Sequence, residues 1–128
     1  MAIDVLIAED EPSILEALSF VLQRAGWNIG AVMDGEAVME AVRNFQPRVL
    51  ILDIMMPKRS GFEVLKQIRA EPTMRGLPVL VLTAKGQQQD RRVAEQLGAD
   101  SFLTKPYANA DVVNSIRLLL DRPASGGA

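Results

Sequence analysis

Glu9, Asp10, Asp53, Thr83 and Lys105 lie far apart in a chain of 128 residues, yet each follows or ends a short apolar run. The clearest run is Val49-Leu50-Ile51-Leu52, which reads as a strand buried on both faces, as in a parallel sheet covered by helices. Pro57 forbids its continuation, so Asp53 marks the strand's carboxyl end, at the edge where open α/β sheets bind ligands. Alone, such an aspartate is equally well explained as a turn former. Parallel strands, however, put all their carboxyl ends on one edge, and there the five residues form a set of three acids, a hydroxyl and an amine.

Three carboxylates ionised on one rim repel one another unless a cation joins them. Oxygen ligands with room for water suit Mg²⁺, which one or two carboxylates usually hold. Mg²⁺ together with Lys105 is then a positive pair facing a carboxylate. Such a pair neutralises a phosphoryl group in transfer, with the carboxylate as nucleophile and an acyl phosphate as product. Thr83 can donate a hydrogen bond to a phosphoryl oxygen. Each of these residues taken singly is commonly a turn former or a solvated charge, an explanation that does not anticipate the set.

The composition narrows the alternatives. Cysteine and histidine are both absent, which excludes disulfides, thiolate metal sites and an imidazole base, so any chemistry uses carboxylates, hydroxyls and amines. Apolar residues make up 48% and charged residues 23%, ordinary for one globular domain of this length. A formal net charge of −2 offers no basic field, so neither direct nucleic-acid binding nor binding to a membrane is expected. No apolar run is long enough to span a bilayer and the start has no basic n-region, which places the protein in the cytoplasm.

The elements that must position the five groups alternate. Strands are expected at 3–8, 27–32 (an edge strand), 49–53, 79–83 and 101–104. Helices are expected from Pro12 to a stop at Gly26, over 37–45 closed by Pro47, from Gly61 onward, over 87–97 and over 109–120. Val38, Val42 and Phe45 share one face of the second helix. The fourth helix has only Val93, Ala94 and Leu97 on its apolar side and should be weakly anchored. Right-handed crossovers between parallel strands give a three-layer α/β sandwich. Residues 1–121 form the domain, and 122–128 are a flexible tail or the start of a linker.

Over about residues 3–121 the chain resembles a response-regulator receiver domain of two-component signalling, CheY-like. The resemblance implies a (βα)5 flavodoxin-like fold with strand order 2-1-3-4-5. It implies phosphoryl acceptance at Asp53, an acidic metal-binding pair at Glu9 and Asp10 with Asp10 the direct ligand, and the backbone carbonyl of Met55 as a further ligand to Mg²⁺. It also implies that Thr83 is the switch hydroxyl, that Lys105 contacts the phosphoryl group, and that the bond to Pro106 is cis, aiming Lys105 into the site. Met56-Pro57 and Gly61 match the family pattern, while Glu9 stands for the more usual aspartate and Ser60 for an acid. Phe102 occupies the aromatic switch position, or is simply core.

The phosphodonor so implied is a phosphohistidine of a sensor histidine kinase or histidine phosphotransfer protein, the domain catalysing its own phosphorylation and dephosphorylation. The output surface is the fourth helix, fifth strand and fifth helix, which bind a downstream protein target or a second copy of the chain. Met55 and Lys85 flank the site and tune hydrolysis in an unassigned direction. No effector segment follows residue 121, which is expected of either a stand-alone regulator or the receiver of a longer chain. Phosphatases with an aspartyl nucleophile resemble Asp-x-Asp, whereas Met55 fills the second position here. A flavin module would not place Glu9-Asp10-Glu11 against a phosphate. A receiver-like scaffold that takes no phosphate would not need the full set of acids, hydroxyl and amine.

Overall fold

The structure is a computed structural model that describes residues 3–83 and 88–121. The expectations for Lys85, for the first residue of the fourth helix and for the tail at 122–128 lie outside the described residues. Five strands, β1 (Val5–Ala8), β2 (Ile29–Val32), β3 (Val49–Asp53), β4 (Val79–Thr83) and β5 (Ser101–Thr104), alternate with five helices. The helices are α1 (Pro12–Arg24), α2 (Gly35–Phe45), α3 (Gly61–Ala70), α4 (Gln88–Gln96) and α5 (Asn109–Asp121). All strand pairs are parallel and the order is β2-β1-β3-β4-β5, so β2 and β5 are the edges.

The pleat explains why the central strands are apolar throughout. Val5, Ile7, Val49, Ile51, Leu80 and Leu82 face one side, where Leu18 and Leu22 of α1 and Val112, Ile116 and Leu119 of α5 cover them. The alternate residues Leu6, Ala8, Leu50, Leu52, Val79 and Val81 face the other side, under Val38 and Val42 of α2, Val64, Leu65 and Ile68 of α3, and Ala94 of α4.

Two expectations need correction. Phe45 does not share the buried face of α2: it is 40% exposed, and Met39 and Ala41 are buried there instead. Phe45 is the helix's last residue, so the chain turns away at Gln46 before its ring can reach the sheet. The first two strands begin later than expected, at Val5 and Ile29, because β1 and β2 pair only from there. The thin apolar side expected for α4 is found: Ala94 is fully buried, while Val93 and Leu97 are partly covered.

That thin anchorage has a measurable consequence. Amide exchange over Gln88–Gln96 is expected to run at least tenfold faster than in β3 and β4, because opening α4 uncovers one small buried side chain whereas opening those strands uncovers ten fully covered residues. Equal protection in native-state hydrogen exchange would show that α4 is held by something other than its apolar face.

Candidate functional site

The carboxyl ends of β1, β3, β4 and β5 build the site, and the hydrogen-bond ladder carries on past the strands to fix the residues that follow. The Glu9 amide donates to the Val32 carbonyl (3.1 Å), the Ile54 amide to Leu82 (3.3 Å) and the Lys105 amide to Thr83 (2.8 Å). Glu9 and Asp10 therefore leave β1 beside the end of β3, where the crossovers change direction and a crevice opens. Gly61, the first residue of α3, packs directly on the acceptor strand. A Cβ there would sit 2.6 Å from the Asp53 carbonyl oxygen, so only glycine lets the helix begin so near the site. Ser60 caps that helix, its hydroxyl accepting from the Glu63 amide at 3.3 Å.

Glu9, Asp10 and Asp53 come together, each with a carboxylate oxygen within 4.8 Å of the others. Glu9 and Asp53 are buried and Asp10 is partly exposed, so the cluster opens to solvent on the Asp10 side. Among the described residues one amine faces the acids: Lys105 Nζ lies 3.4 Å from Asp53 Oδ2 and 3.7 Å from Glu9 Oε1. The Lys105–Pro106 peptide is cis. Asp53 Oδ1 accepts from the Met55 amide at 3.1 Å, so each oxygen of this carboxylate has its own donor.

Glu9 is less well provided for. Neither of its buried oxygens has a hydrogen-bond partner among the described residues. Burial pushes its carboxyl up to about 8, with the adjacent Asp53 acting in the same direction and Lys105 against it. A buried acid with two orphaned oxygens beside two more acids is a donor set short of a cation, and its all-oxygen chemistry suits a hard divalent ion.

Thr83 ends β4, buried, but its hydroxyl is turned toward β5. It lies 3.4 Å from the Leu103 carbonyl and 3.2 Å from the Thr104 hydroxyl, its partner in register. Phe102 is partly buried against the α2–α4 side of the core, and the Arg91 guanidinium of α4 lies 3.9 Å from its ring centroid. Met55 follows Asp53 on the surface with its side chain 70% exposed.

Two neighbours escaped the sequence reading. Thr104 holds the Thr83 hydroxyl, and the register of two strands ending in threonine could have indicated it. Tyr107 packs partly buried on the α1–α5 side of the core, and its hydroxyl is pushed up to about 12, by burial first and then by the charges of Glu9, Asp53 and Glu11. Its signal was only its position two residues after Lys105.

No helix among the described residues is long and apolar enough to cross a membrane. In sequence the chain is 42% identical over 120 residues to the "Probable transcriptional regulatory protein TcrX" of Mycobacterium tuberculosis, covering 94% of this chain and 50% of that protein. The chain spans about half the length of the curated relatives it matches. In structure it is similar to the signal receiver domain of a signal transduction histidine kinase from Syntrophus aciditrophicus, with a TM-score of 0.87 and 28% identity over 97% of this chain and 96% of that one. The receiver domain of the sensor histidine kinase PA1611 from Pseudomonas aeruginosa, which holds a magnesium ion in its active-site cleft, shares the fold with a TM-score of 0.86 at 24% identity over 95% of this chain and all of that one. The family model described as the response regulator receiver domain matches residues 5–117, and the chain belongs to that family.

Proposed function

We propose that this domain is a phosphoacceptor switch, taking a phosphoryl group onto Asp53 from the phosphohistidine of a sensor histidine kinase or histidine phosphotransfer protein in the cytoplasm. The observation that carries the reading is the convergence of three carboxylates at the sheet's edge, two of them within ion-pair distance of the Lys105 amine. Glu9, Asp10, Asp53 and the Met55 carbonyl would hold Mg²⁺. When bound, the ion neutralises phosphoryl charge that the acids would otherwise repel.

The chain's own residues then do the rest. The Met55 amide and the Lys105 amine orient the Asp53 carboxylate from either side. One carboxylate oxygen attacks phosphorus in line, the P–N bond to the donor imidazole breaks, and the bonding pair leaves with the imidazole nitrogen. Lys105, already 3.4 Å from Asp53, pairs with the transferred dianion.

For the switch, Thr83 must exchange its β5 partners for a phosphoryl oxygen, and Phe102 must leave the Arg91 guanidinium if it follows into the space vacated. Both rearrangements act on α4 and β5. The α4-β5-α5 face is accordingly the surface offered to a protein target or to a second copy of the chain, and the weakly anchored α4 makes its displacement inexpensive.

Incubation with acetyl phosphate and Mg²⁺, followed by intact-mass measurement, is expected to add one phosphoryl group to the wild type and none to Asp53→Asn. An unmodified wild type would remove the phosphoacceptor reading, and equal labelling of both would move the acceptor to another residue.

A further inference from the structure

We propose that the first turn of α2 is the seat of the loop after Asp53, with Gly35 a positioning residue for the cation site; this rests on the receiver reading above. The loop leaves the sheet at Ile54 and rejoins regular structure at Gly61, whose amide donates to the Ile54 carbonyl at 2.9 Å. Between them, the backbone bonds from Met56 to Ile54 (3.2 Å) and from Arg59 to Pro57 (2.8 Å) are internal to the loop, while two side chains tie it down: Met56 is buried in the core and Arg59 Nη1 donates to Gln67 of α3 at 2.9 Å.

The start of α2 holds the loop's backbone at Pro57–Arg59. The Gly35 amide donates to the Pro57 carbonyl at 3.2 Å, Lys58 Nζ lies 3.8 Å from Asp34 Oδ2, and the Arg59 carbonyl rests directly on the Gly35 backbone. Asp34 in turn caps α2 by accepting from the Ala37 amide at 2.9 Å. The loop is therefore seated on a helix end that is itself locked. This matters for chemistry because the same loop carries the Met55 amide, which orients Asp53, and the Met55 carbonyl assigned to the ion.

A methyl group on Gly35 would lie 1.9 Å from the Arg59 oxygen and 2.7 Å from its carbonyl carbon, so Gly35→Ala must drive the loop back by more than an ångström. Mg²⁺ demands near-octahedral geometry with ligands at about 2.0–2.1 Å and tolerates no such displacement. Gly35→Ala is therefore expected to weaken Mg²⁺ binding about tenfold or more, although no atom of Gly35 reaches the ion.

Val38→Ala is the comparison. It removes buried volume from the same helix but leaves the Gly35 contacts with Pro57 and Arg59 in place, and should lower stability while leaving the Mg²⁺ dissociation constant within twofold of the wild type. Calorimetric titration with MgCl₂ alone reads both. An unchanged constant in Gly35→Ala, or equal losses in the two variants, overturns the proposal. A wild type that binds no Mg²⁺ overturns the receiver reading as well. Should Gly35→Ala fail to fold, the wild type still decides. The Gly35 and Arg59 amide resonances are expected to shift along the same saturation curve as Met55 during the Mg²⁺ titration, and a Gly35 resonance that stays fixed overturns the proposal.

Discussion

Arg69→Met is expected to lower the free energy of unfolding by about 2–4 kcal/mol, and the melting temperature by roughly 10 °C, without impairing phosphorylation of Asp53 below the melt. Arg69 lies on α3, yet its guanidinium serves four residues in two other stretches of chain. Nε donates to the Gly98 carbonyl at 2.9 Å, just past α4, and Nη1 to the Arg75 and Leu77 carbonyls at 3.0 and 2.7 Å. Nη2 meets Asp100 Oδ2 at 2.8 Å, and Asp100 also accepts from the Val79 amide at the start of β4. Both charged side chains are four-fifths buried, so removing the cation leaves three carbonyls and a carboxylate short of a donor where water reaches them poorly. Methionine keeps most of the volume and isolates the lost bonds. Lysine should rescue little, because an ammonium cannot span donors set at the corners of a guanidinium. The contacts gather at the starts of β4 and β5, the sheet edge opposite the acids, which is why stability should fall while chemistry survives. Urea unfolding measures the change; a loss below about 1 kcal/mol would mean that the network is replaceable by solvent.

This hub also shows what the sequence could and could not disclose. The five strands were legible because branched apolar runs admit few other structures, and Glu9, Asp10, Asp53 and Lys105 lie together because parallel strands have only one carboxyl edge. Arg69 looked like any solvated charge on an amphipathic helix, since its partners come from residues 6 to 31 positions further along. The seating of the loop on Gly35 was hidden for the same reason: a close backbone approach between a loop and a helix start leaves only a glycine as its mark. Phe45 misled because it shares the helical spacing of the buried face yet closes the helix, where the left-handed Gln46 takes the chain away and leaves the ring 40% exposed. The direction of the Thr83 hydroxyl depends on the cross-strand register with Thr104, which neither strand specifies alone.

The second large effect concerns Glu9 and pH. In the unfolded chain its carboxyl ionises near the ordinary 4.5, whereas in the fold burial and Asp53 hold the proton to about 8. Between those values the native state binds one proton more than the unfolded state, so raising the pH favours unfolding. Stability present below about pH 4.5 is lost progressively up to about pH 8, by on the order of 4 kcal/mol from this group. Glu9→Gln, neutral throughout, should flatten that slope, so that without divalent ions the variant matches the wild type near pH 5 and exceeds it near pH 8. Mg²⁺ should reverse the order, because it pairs with the ionised acid and cannot pair as well with an amide. Binding below pH 8 must then expel the proton, and wild-type affinity should rise by up to about tenfold per pH unit between pH 6 and pH 8, a dependence the variant loses. Calorimetric titrations in two buffers of different ionisation enthalpy count the released proton directly. If Glu9→Gln showed the same proton release and the same pH slope as the wild type, the charge that makes this site hungry for a cation would have to reside elsewhere.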